Sequence, residues 1–275
     1  MGRTALWAIG GVGLALALSA AAATAGETPD NSQQSPKTSE PVPATTPVQT
    51  PRSAKPIPPE KSTTPNPAVA AGIPVYVRPH GAAGGREGGG TRGGETAEIV
   101  ALIPDNHAAL TTREQPTLYW YLAEPTSARI DVIVNRGLED QPLLEKTLQG
   151  PFSAGIHALD FKVLGIHLEP GSLYKWYVEV IPDPAHRSGD AFSGGTLQRI
   201  VPSTELDRSI GTAGPAERVL IYAQNGIWCD ALDELSRQIA ASPSDPVSTR
   251  QRVGLLEQVG LGPNVGVSEA RPTMP

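Results

Sequence analysis

A single cysteine in 275 residues rules out an internal disulfide framework. Cys229 stands beside Trp228 in an apolar helical pattern, so it reads as a buried small hydrophobe, with a bridge between chains as the alternative. Aromatic residues make up only 5% of the chain, so any core rests on few large anchors. Basic charge is not in excess: 22 Lys and Arg face 28 Asp and Glu, for a net charge of −6. That balance excludes nucleic acid as a partner. Beyond the first 25 residues no apolar run is long enough to span a bilayer, so no transmembrane segment is expected once they are removed.

The motifs that carry chemistry are missing as well. His80, His107, His157, His167 and His186 are scattered, and no H-E-x-x-H brings two of them together for a metal. There is no G-x-S-x-G elbow and no calcium loop with its run of oxygen ligands. Neighbouring acids occur at Glu139-Asp140 and at Asp230, Asp233 and Glu234. Both sets fall where turns and helix faces ordinarily carry solvated charge, and they are read that way. No catalytic, metal or cofactor-binding residue is assigned, and no cofactor is expected.

What the sequence does contain falls into blocks. Residues 1–25 read as a signal peptide: a short basic start through Arg3, an Ala/Leu/Gly-rich apolar stretch, then Ala23-Thr24-Ala25. That small-x-small pattern places cleavage between Ala25 and Gly26, and a retained membrane anchor is the competing reading. The mature protein is expected to be exported, periplasmic or extracellular. Residues 26–74 are rich in Pro, Thr and Ser and hold little that can be buried. They cannot offset the roughly 1–2 kcal/mol per residue lost on ordering a backbone, so a disordered linker stiffened toward polyproline II is expected.

Residues 75–96 read as a Gly-rich loop segment. It contains a literal G-x-G-x-x-G at Gly88, Gly90 and Gly93. A dinucleotide site needs that motif between a strand and a helix, whereas the residues that follow look like a strand. The remaining functional reading is a candidate anion or partner loop built from Arg86, Gly88, Gly90, Arg92 and Gly93. Over 97–202 short apolar segments alternate with turn residues, giving seven expected strands: 98–103, 117–122, 129–134, 143–148, 155–161, 173–181 and 195–201. The expected fold is mainly β, an immunoglobulin-like antiparallel β-sandwich with a C-terminal α-helical hairpin. Trp120 and Trp176 are its expected core anchors.

Residues 203–262 read as a helical part that packs on the sandwich. Residues 217–223 fit a strand or a short helix. A helix is expected over 227–241, capped by Asn225, with Trp228, Leu232 and Leu235 on its apolar stripe. A second is expected over 249–259, opened by a Ser248–Gln251 capping box and closed by Gly260. Residues 263–275 are expected to form a disordered tail.

An ordered set of motifs carries a resemblance: REGGGTRGG (86–94), ALIP (101–104), PTLYWYL (116–122), LEPGSLYKWYVEV (168–180) and IYAQNGIWCDALDEL (221–235). Together they resemble the domain of unknown function 928 family. The resemblance implies an exported bacterial protein of a kind most abundant in cyanobacteria, with a Gly-rich opening, a β-rich centre and a "YA..GIWYDAL" helix. Glu95 and Cys229 stand where relatives carry Cys and Tyr, so the resemblance implies no disulfide here, and it brings no catalytic residues. The reading reached is an exported, non-catalytic binding module with an unknown protein or glycan partner in the envelope, with the role of accessory to an envelope sensory system. A cell-wall-associated structural module is the alternative, and a hydrolase of unrecognised type the second.

Overall fold

Alternation of apolar and polar residues builds the centre of the molecule. In the computed structural model the described residues are 72–89, 98–137, 142–262, Val265 and 270–272. Ala25 and Gly26, most of the linker, Gly90, Arg92, Gly93 and the Glu139-Asp140 pair lie outside the described residues. The strands are β1 (Arg86–Gly89), β2 (Ile99–Ala101), β3 (Ala109–Thr111), β4 (Thr117–Leu122), β5 (Arg129–Arg136), β6 (Leu144–Leu148) and β7 (Gly155–Asp160). After the short helix α1 (Phe161–Leu164) come β8 (Leu173–Ile181) and β9 (Ala191–Arg199). Helices α2 (Thr204–Thr212), α3 (Pro215–Gln224), α4 (Trp228–Ala241) and α5 (Pro246–Glu257) follow, and then β10 (Ala270–Pro272).

The strands form two sheets that are largely antiparallel. One runs β1-β9-β8-β5-β6, with β3 also pairing β9, and the other runs β10-β7-β4-β2. The parallel pairs are β3 with β9 and β10 with β7. β9 shares its outer edge between two partners: β1 lies along Phe192–Gly195 and β3 along Leu197–Arg199. The changeover is crowded. A Cβ on Gly195 would come within 2.2 Å of the Gly85 carbonyl oxygen, and Gly195 has φ 150°, so only glycine fits there. One hydrophobic core draws on both sheets and on the helices, with Trp120, Trp176 and Trp228 each fully buried. Leu232 and Leu235 of α4 are buried in the same core. The mainly β class with C-terminal helices is therefore observed.

Several local expectations are corrected. The segment 75–96 is not all loop, because Arg86–Gly89 is a strand opposite β9. Its glycines allow close approach: a Cβ on Gly85 would lie 2.4 Å from the Asp105 carbonyl oxygen. The expected tail supplies β10, whose main chain runs parallel to β7. Of the two readings of 217–223 the helix is the one found, within α3, while α2 before it is new, capped by Ser203, which accepts from the Leu206 amide. Asn225 does not cap α4 but closes α3, its amide donating to the Ile221 carbonyl at 3.1 Å. Helix α5 starts earlier than expected: Asp245, not Ser248, is its cap and accepts from the amides of Val247 and Ser248. Pro246 at the first helical position favours that earlier start.

Candidate functional site

Each expected site residue can be placed from its element upward. Arg86 opens β1 and is half-buried, one guanidinium nitrogen donating to the Ile103 carbonyl at 3.1 Å and another to the Gly260 carbonyl at 3.4 Å. Burial lowers its pKa, and the nearby Asp105 opposes that shift. Its guanidinium thus holds loops together. Gly88 lies in β1 opposite Ser193, and β1 runs antiparallel to β9, whereas a dinucleotide site needs the glycines to lead from a strand into a helix.

The opposite side chain of that strand leads to a richer surface. Period-2 alternation turns Tyr174, Trp176, Val178 and Val180 of β8 inward, while Leu173 and Lys175 are exposed and Tyr177 is half-exposed. Ile133, Tyr177, Gly194 and Glu87 occupy one row across four strands. A Cβ on Gly194 would lie 2.7 Å from the Tyr177 ring, so glycine there lets the ring cross toward β1. The Tyr177 hydroxyl donates to Glu87 Oε2 at 2.8 Å, and Lys175 Nζ donates to Glu87 Oε1 at 2.7 Å. These two bonds, with Lys175 the stronger, hold the Glu87 carboxyl below its ordinary range.

Next to this trio, Phe192 is 39% exposed and meets Tyr177 edge-on, with ring centroids 6.2 Å apart at 68°. Leu173 adds another exposed apolar group on the same face. The surrounding charges are paired among themselves: Arg187 with Glu179 and Asp190, and Arg129 with Asp131 at 3.0 Å. A face on which an exposed ring stands beside a half-exposed one, among charges that are mostly paired, suits contact with another surface.

A second polar cluster lies at the junction of helix and sheet, and it corrects the solvated reading of the α4 acids. Asp230, Asp233 and Glu234 are all buried. Asp230 accepts from the Thr111 hydroxyl at 2.6 Å, the Thr112 amide at 2.9 Å and the Thr112 hydroxyl at 2.5 Å. Asp233 accepts from the Tyr119 hydroxyl at 2.7 Å and pairs with Arg113 and with Arg237, the latter at 3.0 Å. Glu234 takes both nitrogens of an Arg218 fork, at 2.9 and 3.3 Å. Buried carboxylates need such partners, and here they come from β3 and the two residues after it, from β4, from α3 and from the Arg237 turn of α4 itself. Sequence reasoning missed Thr111, Thr112, Arg113 and Arg218 because their partners are distant in the chain. The only signal was the three acids standing at α4 positions next to the apolar stripe.

The remaining reactive groups are committed singly. Burial pushes the Cys229 thiol up, with Asp230 adding to the shift. His107 bonds Tyr76 and Asn106, His157 stacks on Trp120, and His167 and His186 pair with Glu114 and Asp183 at the surface. Among the described residues no group of three or more His, Cys, Asp or Glu is placed to hold a metal ion. No helix among them is long and apolar enough to cross a membrane.

Two comparisons with known proteins bear on this geometry. The family model described as Domain of Unknown Function (DUF928) matches residues 84–269, which takes in the outer sheet face and the α4 cluster. Comparison with the curated proteins finds no match.

Proposed function

The chain belongs to the domain of unknown function 928 family, and from that premise we propose that it is an exported, non-catalytic binding module of the bacterial envelope. Its partner is a protein, and the docking surface is the outer face of the six-stranded sheet. The single observation that carries this reading is the edge-on pair of exposed Phe192 and half-exposed Tyr177 beside the Glu87–Lys175 bridge. Rings set edge-on form no flat platform for a sugar, which favours a protein over a glycan. Export is supported by the 1–25 pattern, which places cleavage after Ala25, and the Pro-rich 26–74 stretch is proposed as a tether.

The framework proposed for this surface is an immunoglobulin-like sandwich. Strand order supports it. β9-β8-β5-β6 reproduces the G-F-C-C′ order of a variable-type domain, and β2-β4-β7 the A-B-E order of the opposite sheet. The test starts from exported protein, whose first residue is expected to be Gly26. That protein captures a partner from envelope extract, and the partner is then identified, purified and titrated. Tyr177→Ala with Phe192→Ala is expected to weaken the complex by about tenfold or more. Binding that ignores both substitutions, or capture of glycan alone, would sink the assignment of this face. Co-sedimentation with purified peptidoglycan and no protein partner would favour a cell-wall structural module instead.

A further inference from the structure

Residues Gly72 to Pro79 run across the helices as an extended strap with no regular secondary structure. Its main chain is read by glutamines of α5 and the residue that follows it. Gln258 Oε1 accepts from the Tyr76 amide at 2.9 Å while its Nε2 donates to the Pro74 carbonyl at 2.8 Å, and Gln251 Nε2 donates to the Gly72 carbonyl at 2.9 Å. The Val77 amide donates to the Ala223 carbonyl at 3.0 Å. Tyr76 inserts its ring edge-on to Trp228, with centroids 5.1 Å apart, and its hydroxyl lies 2.8 Å from His107 Nε2.

The seat is cut to this occupant. A Cβ on Gly254 would come within 2.6 Å of the Ile73 side chain, and one on Gly226 within 2.8 Å of the Val77 carbonyl oxygen. These seat residues lie within the stretch matched by the family, 84–269, and the strap lies before it. Pro74 and Pro79 hold the strap extended before it binds, which lowers the entropy lost on seating it. Between strap and β1, the Ala82 carbonyl accepts from the Ala108 amide at 3.1 Å, so the exposed pair His80 and Gly81 just before it forms the hinge.

We propose that this seat also accepts the strap of a second copy of the chain, so that the protein forms strap-exchanged dimers. Exchange keeps every strap contact, because the second copy brings the same residues to the same seat. It breaks no strand pairing, since the strap belongs to neither sheet. The short hinge gives the strap of the same chain an effective concentration on the order of millimolar, so the dimer fraction rises with protein concentration.

Two full-length variants test this. Gly254→Leu blocks the Ile73 seat and keeps an intact strap, whereas Ile73→Asp with Tyr76→Ala keeps the seat and disables the strap. Each alone is expected at monomer mass by light scattering, and their equimolar mixture at twice the chain mass. Wild type is expected to show a concentration-dependent dimer fraction that Gly254→Leu loses. A mixture that stays at monomer mass, with both variants folded by circular dichroism, overturns the proposal. Should Gly254→Leu not fold, a fluorescent peptide of residues 72–79 is titrated onto the strap-disabled variant. Saturable binding, weakened about tenfold by adding Gln258→Ala, supports exchange, and no binding overturns it.

Discussion

At the scale of single residues, the α4 carboxylates decide how helix and sheet are joined. Asp233 is 2% exposed, yet its partners Arg113 and Arg237 reach toward solvent, with side chains 23% and 61% exposed. Removing one member of a buried pair costs about 3–5 kcal/mol when the other is left dry. Because both arginines keep access to water, Asp233→Ala is expected below that range, at about 1–3 kcal/mol read from urea unfolding, from the buried Tyr119 hydroxyl left without its acceptor. Glu145→Ala on the exposed side of β6 is the control and is expected to change stability by less than about 0.5 kcal/mol. Equal effects from the two would remove the junction role given to Asp233. Neither effect was legible in the sequence, where Asp233 differs little from any acid on a helix. Its meaning depends on Arg113 and Tyr119, both more than a hundred positions away.

Among the elements, long alternating strands were the most legible and helix ends the least. β8 is found at the expected residues, 173–181, because alternation from Leu173 to Val180 leaves one choice of inward face. β9 starts four residues earlier than the expected 195 and ends two before the expected 201, because Gly194 carries no side chain to show alternation and its place in the strand is visible only once the Tyr177 ring is seen against it. Capping is the same problem at a helix end. Ser248 and Asp245 both suit the start of α5, and the choice went to Asp245, whose carboxylate receives the Val247 and Ser248 amides and the Ser248 hydroxyl. Those bonds, with Ser248's hydroxyl the largest influence, hold its carboxyl below the ordinary range. A lowered folded pKa means stability that is present above the unfolded value and is lost as pH falls through the folded one. Asp245→Ala is therefore expected to lower the urea midpoint at neutral pH, with the difference from wild type vanishing in strong acid. Gln251 instead donates to the Gly72 carbonyl, so Gln251→Ala should lower the midpoint slightly at most, and by the same amount at every pH. An effect as large as that of Asp245→Ala, lost over the same acid range, would restore the capping box at Ser248.

Across the whole molecule, one core joins what the sequence divided into a β-rich part and a helical part. Trp120 and Trp176 of the sheets and Trp228 of α4 are members of the same cluster, and the Trp228 indole donates to the Leu102 carbonyl at 2.8 Å. The expected consequence is a single cooperative transition, in which tryptophan fluorescence and far-ultraviolet circular dichroism coincide along a urea titration. Two separated transitions would show that the helices are an independent unit. Composition and periodicity were enough to establish the β-rich centre, the apolar stripe through Trp228, Leu232 and Leu235, and the three tryptophan anchors. All of these follow from local pattern, because burial of a face is written in the spacing of its residues. The open Tyr177–Phe192 face, the partners of the buried acids, the strap on its glycine-cut seat and the pairing of β10 came from the fold. Each depends on which distant segments meet, and neither spacing nor composition encodes a contact between residues that only folding brings together.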